Sequence, residues 1–124
     1  MLLRDSLYFV DSVTEADGGY DYAIHLDPGH FIYKAHFPGN PITPGVCILQ
    51  MATELLSLAV GKPLEIHSVK NVKFLQILVP GEAQDIVFRL RGVTLADDAV
   101  KAQIQATAGE TLIAKISTVC RIVK

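Results

Sequence analysis

The sequence has few of the residues that mark several common classes of protein. Its 124 residues contain no tryptophan and two cysteines, Cys47 and Cys120, which show no CxxC or other metal-ligand spacing. Two thiols in a chain without an export signal predict free cysteines, no metal site and a cytoplasmic protein. The 11 Lys and Arg residues against 13 Asp and Glu give a formal charge of −2, so neither nucleic acid nor an anionic membrane is indicated as a partner.

Long apolar segments are also missing. The N-terminus reaches the charge of Arg4 before any apolar stretch develops, unlike a signal peptide. The longest apolar-rich stretch, residues 46–60, contains Gln50 and Glu54 and is shorter than the ~20 residues that span a bilayer. We therefore expect a core helix, no membrane association and a single domain over residues 1–124.

What the sequence does have is apolar residues, which make up 50% of the chain. That share is more than a small monomer needs, so an oligomer is plausible. Alternation of apolar and polar residues predicts a hairpin of strands 7–14 and 20–26, joined by the turn Asp17-Gly18-Gly19.

Residues 27–45 are dense in proline and glycine, which predicts a rigid loop without regular helix or strand. Thr43 as the N-cap and Pro44 at the first helical position then predict a helix that runs to Val60 and stops at Gly61.

Four stretches of high β-propensity follow the helix, at about 64–78, 85–94, 100–107 and 111–122. A helix that is apolar nearly all round must be covered on most sides. The economical solution for a short chain is a curved antiparallel six-stranded sheet wrapped around the one long central helix. This arrangement is the hot-dog fold, of class α+β.

The segment His-Phe-Pro-Gly-Asn-Pro-Ile-Thr-Pro-Gly-Val at 36–46 closely resembles the active-site segment of the hot-dog β-hydroxyacyl-acyl-carrier-protein dehydratases. The segments at 71–74 and 79–82 also look like that family, so the likeness covers nearly the whole chain. The resemblance implies a hydro-lyase of fatty acid or related acyl-chain biosynthesis. Such an enzyme converts 3-hydroxyacyl-acyl-carrier-protein to a 2-enoyl thioester and water without a metal or redox cofactor.

The residues of this segment suit that chemistry, which needs a base for the α-proton and stabilisation of enolate charge. His36 is the candidate base, because a rigid loop can fix a neutral imidazole in place. The amides of Gly45 and Val46 are the candidate oxyanion site, since first-turn amides of a helix lack internal acceptors. Phe37 and Gly39 are assigned to the same substrate-binding segment. The alternatives are a loop histidine bonded to a backbone carbonyl and a glycine that merely permits close packing.

The acid departs from the family pattern. The family's catalytic carboxylate belongs at position 50, where this chain has Gln50. An amide cannot give a proton to hydroxide and can only orient substrate or water, so Gln50 is assigned to substrate binding. Glu54 lies one turn later on the same face, so the two residues look exchanged, and burial would keep a carboxyl protonated as a general acid requires. The alternative is a glutamate that satisfies buried polar partners.

The resemblance further implies a site at a dimer interface, with the histidine of one protomer facing the helix of the other. We expect a homodimer or an assembly of such dimers that binds the acyl thioester of acyl carrier protein or coenzyme A. Two other functions stay open: a hot-dog acyl thioesterase, and a catalytically weak acyl-thioester-binding subunit of a heterodimer whose partner provides the carboxylate that Gln50 lacks.

Overall fold

The computed structural model describes residues 2–35 and 39–123. The described strands form one antiparallel sheet in the order β1-β2-β4-β5-β6-β3. This sheet with its long helix confirms the predicted hot-dog fold. The elements in chain order are β1 Tyr8–Ala16, β2 Gly19–Leu26, α1 Ile32–Ala35, α2 Gly45–Val60, β3 Leu64–Phe74, β4 Ile86–Ala96, β5 Ala99–Ala108 and β6 Thr111–Ile122.

The core lies between α2 and the inner face of the sheet. Met51, Leu55 and Leu56 of α2 are fully buried in the same cluster as inward residues from β2, β4, β5 and β6. Strand β5 shows the predicted alternation, because its even-numbered residues from Val100 to Ala106 are buried while the odd-numbered ones between them face solvent. This alternation places α2 against the apolar face of the sheet.

The prediction of no regular structure in residues 27–45 was wrong, because α1 forms inside that stretch. The prolines and glycines of this stretch are at positions 28 and 29 and at 38, 39, 41, 44 and 45, whereas residues 30–35 contain neither and can form a helical turn. Strand β3 is also shorter than predicted and ends at Phe74. The chain leaves the sheet there, and the carbonyl of Leu78 accepts a hydrogen bond from the Thr43 amide at 2.8 Å.

The predicted cap of the long helix was also wrong. Helix α2 begins at Gly45, so Pro44 occupies the N-cap position, where it offers no side-chain hydrogen bond. The Thr43 side chain instead contacts the Tyr33 hydroxyl. The C-terminal end agrees with the sequence, since Gly61 adopts the left-handed conformation with φ 72° and its amide donates to Ser57.

Strand β3 lies at one edge of the sheet and pairs with β6 on its inner side. Its side chains are largely exposed, including the apolar Ile66, Val72 and Phe74. An edge strand with exposed apolar side chains is a template for pairing with another chain.

Candidate active site

The start of α2 presents backbone amides that the helix itself does not satisfy. The Pro44 carbonyl accepts from the amides of Cys47 at 3.0 Å and Ile48 at 3.2 Å, which closes the first helical turn. Gly45 and Val46 precede those residues, so their N–H groups have no carbonyl within the helix to bond. The Val46 side chain is 74% exposed. These amides lie at the positive end of the helix dipole, which suits a ligand group carrying negative charge.

Gly45 lies against the aromatic ring of Phe74. A Cβ atom added to Gly45 would lie 2.8 Å from the nearest ring carbon of Phe74, which is closer than real contacts allow. The aromatic ring therefore packs on the glycine backbone, as the packing alternative for Gly45 expected. In the sequence, Phe74 stands out only as part of the family-like segment 71–74. The contact of Phe74 with Gly45 was not predicted.

A buried hydrogen bond ties α1 to the residues that precede α2. The Tyr33 hydroxyl and Thr43 Oγ1 are 2.9 Å apart, and both residues are less than 5% exposed. Burial raises the pKa of the Tyr33 hydroxyl, so this group stays protonated at neutral pH. This hydrogen bond joins the residues on either side of positions 36–42, the first part of the dehydratase-like segment.

Within that segment, His36 and Phe37 lie outside the described residues. The convergence of the His36 imidazole and the Gly45 and Val46 amides on one substrate therefore stays a prediction. Gly39 is described and has φ 81°, a left-handed conformation that glycine adopts without strain.

Glu54 is the most heavily hydrogen-bonded side chain of α2. Its Oε2 accepts from the Leu3 amide at 2.8 Å and from Gln50 Nε2 at 2.9 Å, and its Oε1 accepts from the Arg4 amide and the Tyr8 hydroxyl, both at 2.9 Å. The residue is 5% exposed. This arrangement favours the alternative in which the glutamate satisfies buried polar partners.

Gln50 lies one turn before Glu54, at the position where the sequence resemblance implies a carboxylate. It lies five residues beyond Gly45, about 7.5 Å along the helix axis. Gln50 and Glu54 line a cavity of about 220 Å³ between α2 and the N-terminal segment. The apolar part of the lining consists of Leu2, Leu58, Pro63 and Leu64.

The remaining histidines and the cysteines lie outside this arrangement. His25 pairs with Asp11 at 2.7 Å on the outer face of the sheet, and His67 is exposed on β3. Both cysteines are buried free thiols, and burial raises the pKa of each, which suits small core residues better than nucleophiles.

Among residues 2–35 and 39–123, no three His, Cys, Asp or Glu side chains are grouped so that they could hold a metal ion. Helices in this part of the chain are all too short or too polar to cross a membrane.

Comparison with curated proteins supports the dehydratase resemblance. The 3-hydroxyacyl-acyl-carrier-protein dehydratase FabZ of Lactiplantibacillus plantarum is 28% identical over 64% of this chain and 60% of its own length. The chain thus matches about three fifths of that relative. The FabZ of Roseobacter denitrificans is 27% identical over 86% of this chain and 82% of its own length.

Solved structures share the fold. The dehydratase heterocomplex ApeI:P from Xenorhabdus doucetiae has a TM-score of 0.70 at 17% identity, covering 91% of this chain and 97% of its own. A putative thioesterase from Lactococcus lactis has a TM-score of 0.65 at 16% identity, covering 95% of this chain and 93% of its own. At these identities the likeness establishes the hot-dog architecture.

The family model of the ApeI-like dehydratases matches residues 12–112, which span β1 to the start of β6 and include the segment His36 to Val46. Because that match covers most of the chain and agrees with both the fold and the curated relatives, this protein belongs to the ApeI-like dehydratase family.

Proposed function

We propose that this protein dehydrates 3-hydroxyacyl thioesters to 2-enoyl thioesters, with His36 as the base and the Gly45 and Val46 amides as the oxyanion site. The observation that carries the proposal is the open first turn of α2, which directly follows the dehydratase motif in the chain. Membership of a dehydratase family supports the same reaction class.

The chemistry follows from these groups. His36 removes the proton from C2, and the electron pair of that bond becomes the C2–C3 double bond as the C3–O bond breaks. The Gly45 and Val46 amides stabilise the negative charge that develops on the thioester oxygen. An acid must protonate the departing hydroxide so that it leaves as water. Phe37 and Gly39 complete the substrate-binding segment around the base.

The source of that acid defines two candidate forms of the activity. In the first, a homodimer works alone and Glu54 is the acid, which requires its carboxyl to exchange one of its present donors for the substrate. In the second, the chain is one subunit of a heterodimer whose partner supplies the carboxylate. The four hydrogen bonds to Glu54 favour the second form, as does the likeness to a subunit of a dehydratase heterocomplex.

Both forms require a second chain, and the surface around the site suits one. Large apolar residues near the start of α2 and the end of β3 are exposed, namely Val46, Phe74, Leu75 and Ile77. Several exposed apolar residues beside a strand at the edge of the sheet favour a protein interface. The substrate is an acyl thioester of acyl carrier protein or coenzyme A in fatty acid or related acyl-chain synthesis, and the reaction belongs in the cytoplasm.

The direct test is turnover of 3-hydroxyacyl thioesters of graded chain length by the purified chain, with its mass measured under native conditions. Formation of the 2-enoyl thioester and release of free thiol are followed separately. Enoyl product supports a dehydratase, whereas thiol release without enoyl product identifies a thioesterase and contradicts the proposal.

Replacement of the candidate base is expected to have the largest effect on catalysis. His36→Ala should lower turnover by about 10²- to 10⁴-fold, since that is the contribution of a positioned general base. The matched control is His25→Ala, which removes an exposed imidazole on the outer face of β2 and should leave the rate unchanged. Full activity of His36→Ala would end the dehydratase assignment.

The two sources of the acid are separated by the chain's behaviour alone. A homodimer that turns over, and loses that activity in Glu54→Gln, supports the first form. The double variant Gln50→Glu, Glu54→Gln restores the family's order of the two residues. If the parent homodimer is inert and this double variant is active, the second form is supported.

A further inference from the structure

We propose that Glu54 is a positioning residue that clasps the N-terminal segment to α2 and turns the Gln50 amide so that its carbonyl oxygen is offered to the substrate. The inference rests on the proposed function and specifies what the site presents where the family places a carboxylate. It identifies the ligand group recognised there as a hydroxyl, from a 3-hydroxyacyl thioester or from water.

The clasp is visible in the hydrogen bonds of the carboxylate. Three of its four donors come from the first residues of the chain: the amides of Leu3 and Arg4 and the hydroxyl of Tyr8. Each of these residues is about fifty positions away from Glu54 in the sequence. One buried side chain therefore ties the N-terminal segment, residues 3–8, to the middle of α2.

The same carboxylate decides the orientation of Gln50. Both oxygens of Glu54 already accept hydrogen bonds from backbone amides, so the amide of Gln50 turns its nitrogen toward Glu54, with Nε2 2.9 Å from Oε2. The opposite orientation would place two oxygen acceptors against each other. The Gln50 carbonyl oxygen and one amide hydrogen are then left for other partners.

This orientation has a chemical consequence at the cavity beside the two residues. Gln50 is partly exposed and lines that cavity. A carbonyl oxygen accepts a hydrogen bond from a hydroxyl but cannot protonate a leaving group.

The test compares Glu54→Gln with Tyr8→Phe, which removes one donor and leaves the carboxylate in place. Three quantities are measured: hydrogen exchange at the Leu3 and Arg4 amides, the NMR signals of the Gln50 side-chain amide, and KM and kcat for a 3-hydroxyacyl thioester. The exchange and amide measurements need no turnover, so they judge this inference even if the proposed activity is absent.

We expect Glu54→Gln to speed exchange at Leu3 and Arg4 by about tenfold or more, since a neutral amide has one acceptor oxygen in place of two. The protected Gln50 amide proton should become exchangeable, and KM should rise several-fold more than kcat falls. Tyr8→Phe should leave the Gln50 amide signals and KM unchanged.

The opposite pattern would overturn the inference. If Glu54→Gln abolishes kcat while KM, the exchange at Leu3 and Arg4 and the Gln50 signals stay as in the parent chain, Glu54 is the acid and not a positioning residue. Freely exchanging Gln50 amide protons in the parent chain would equally contradict it.

Discussion

The polar groups at the start of α2 and those in its middle differ in how fully they are hydrogen-bonded. At the start, the amides of Gly45 and Val46 have no partner in the helix and no side-chain cap. In the middle, the Glu54 carboxylate is buried and accepts four hydrogen bonds. An unsatisfied group costs stability and is therefore a better functional candidate than a saturated one, which already contributes to holding the fold. The comparison supports the proposal that the oxyanion site lies at the first turn of this helix.

The start of the helix can be disturbed most strongly by filling the space at Gly45. Gly45→Ala gains helix propensity but pushes a methyl group into the Phe74 ring, 2.8 Å away. We expect a net loss of about 1–2 kcal/mol in the free energy of unfolding, measured by denaturant titration, since overpacking usually outweighs the propensity gain. Turnover should fall with it, because the first-turn amides shift.

Phe74 supplies the matched control. Phe74→Leu creates room beside position 45, so Gly45→Ala should cost much less in that background than in the parent chain. Equal costs in both backgrounds would show that the ring does not rest on Gly45, and the start of α2 would then be less tightly fixed than its middle.

The anchoring of the helix start is tested by removing the hydroxyl groups of the Tyr33–Thr43 pair. Tyr33→Phe and Thr43→Val keep the side-chain shapes and should each lower the free energy of unfolding by about 1 kcal/mol, since each leaves one buried hydroxyl unpaired. The double variant should cost less than the sum. Strict additivity would mean that the two hydroxyls do not interact.

The middle of the helix should respond to alkaline pH through Tyr8. Burial, and then the negative charge of Glu54, raise the pKa of the Tyr8 hydroxyl above its usual value of 10.0. The folded state thus keeps a proton that the unfolded chain loses, so the stabilisation is complete below pH 10 and declines as the pH rises further. Thermal unfolding followed from pH 8 to pH 11 should show this decline, and Tyr8→Phe should reduce it. An unchanged pH dependence in Tyr8→Phe would contradict it.

Much of the fold could be predicted from the sequence because period and turn residues are local signals. The alternation in β5, the turn at Gly18 and the stop at Gly61 each depend on a few neighbouring residues. The predicted helix cap was wrong because distant residues decided the outcome. The amide of Thr43 bonds to Leu78 and its hydroxyl contacts Tyr33, so Thr43 does not cap the helix.

The site was predictable in part for the same reason. The motif and the first turn of α2 lie together in the chain, and spacing alone placed Gln50 and Glu54 on one helix face. The contact between Gly45 and Phe74 and the donors to Glu54 join positions tens of residues apart, and no local pattern encodes them. The sequence features that indicated special contacts at these positions were a glycine at the first helical position and a glutamate in an apolar helix.

The clasp at Glu54 also sets an order for the making of this protein. During synthesis Leu3 leaves the ribosome 51 residues ahead of the carboxylate that will hold it. The contacts of Leu3, Arg4 and Tyr8 with Glu54 therefore cannot form until α2 has emerged and folded. The clasp joins the structure only after β1, β2 and most of α2 have been made.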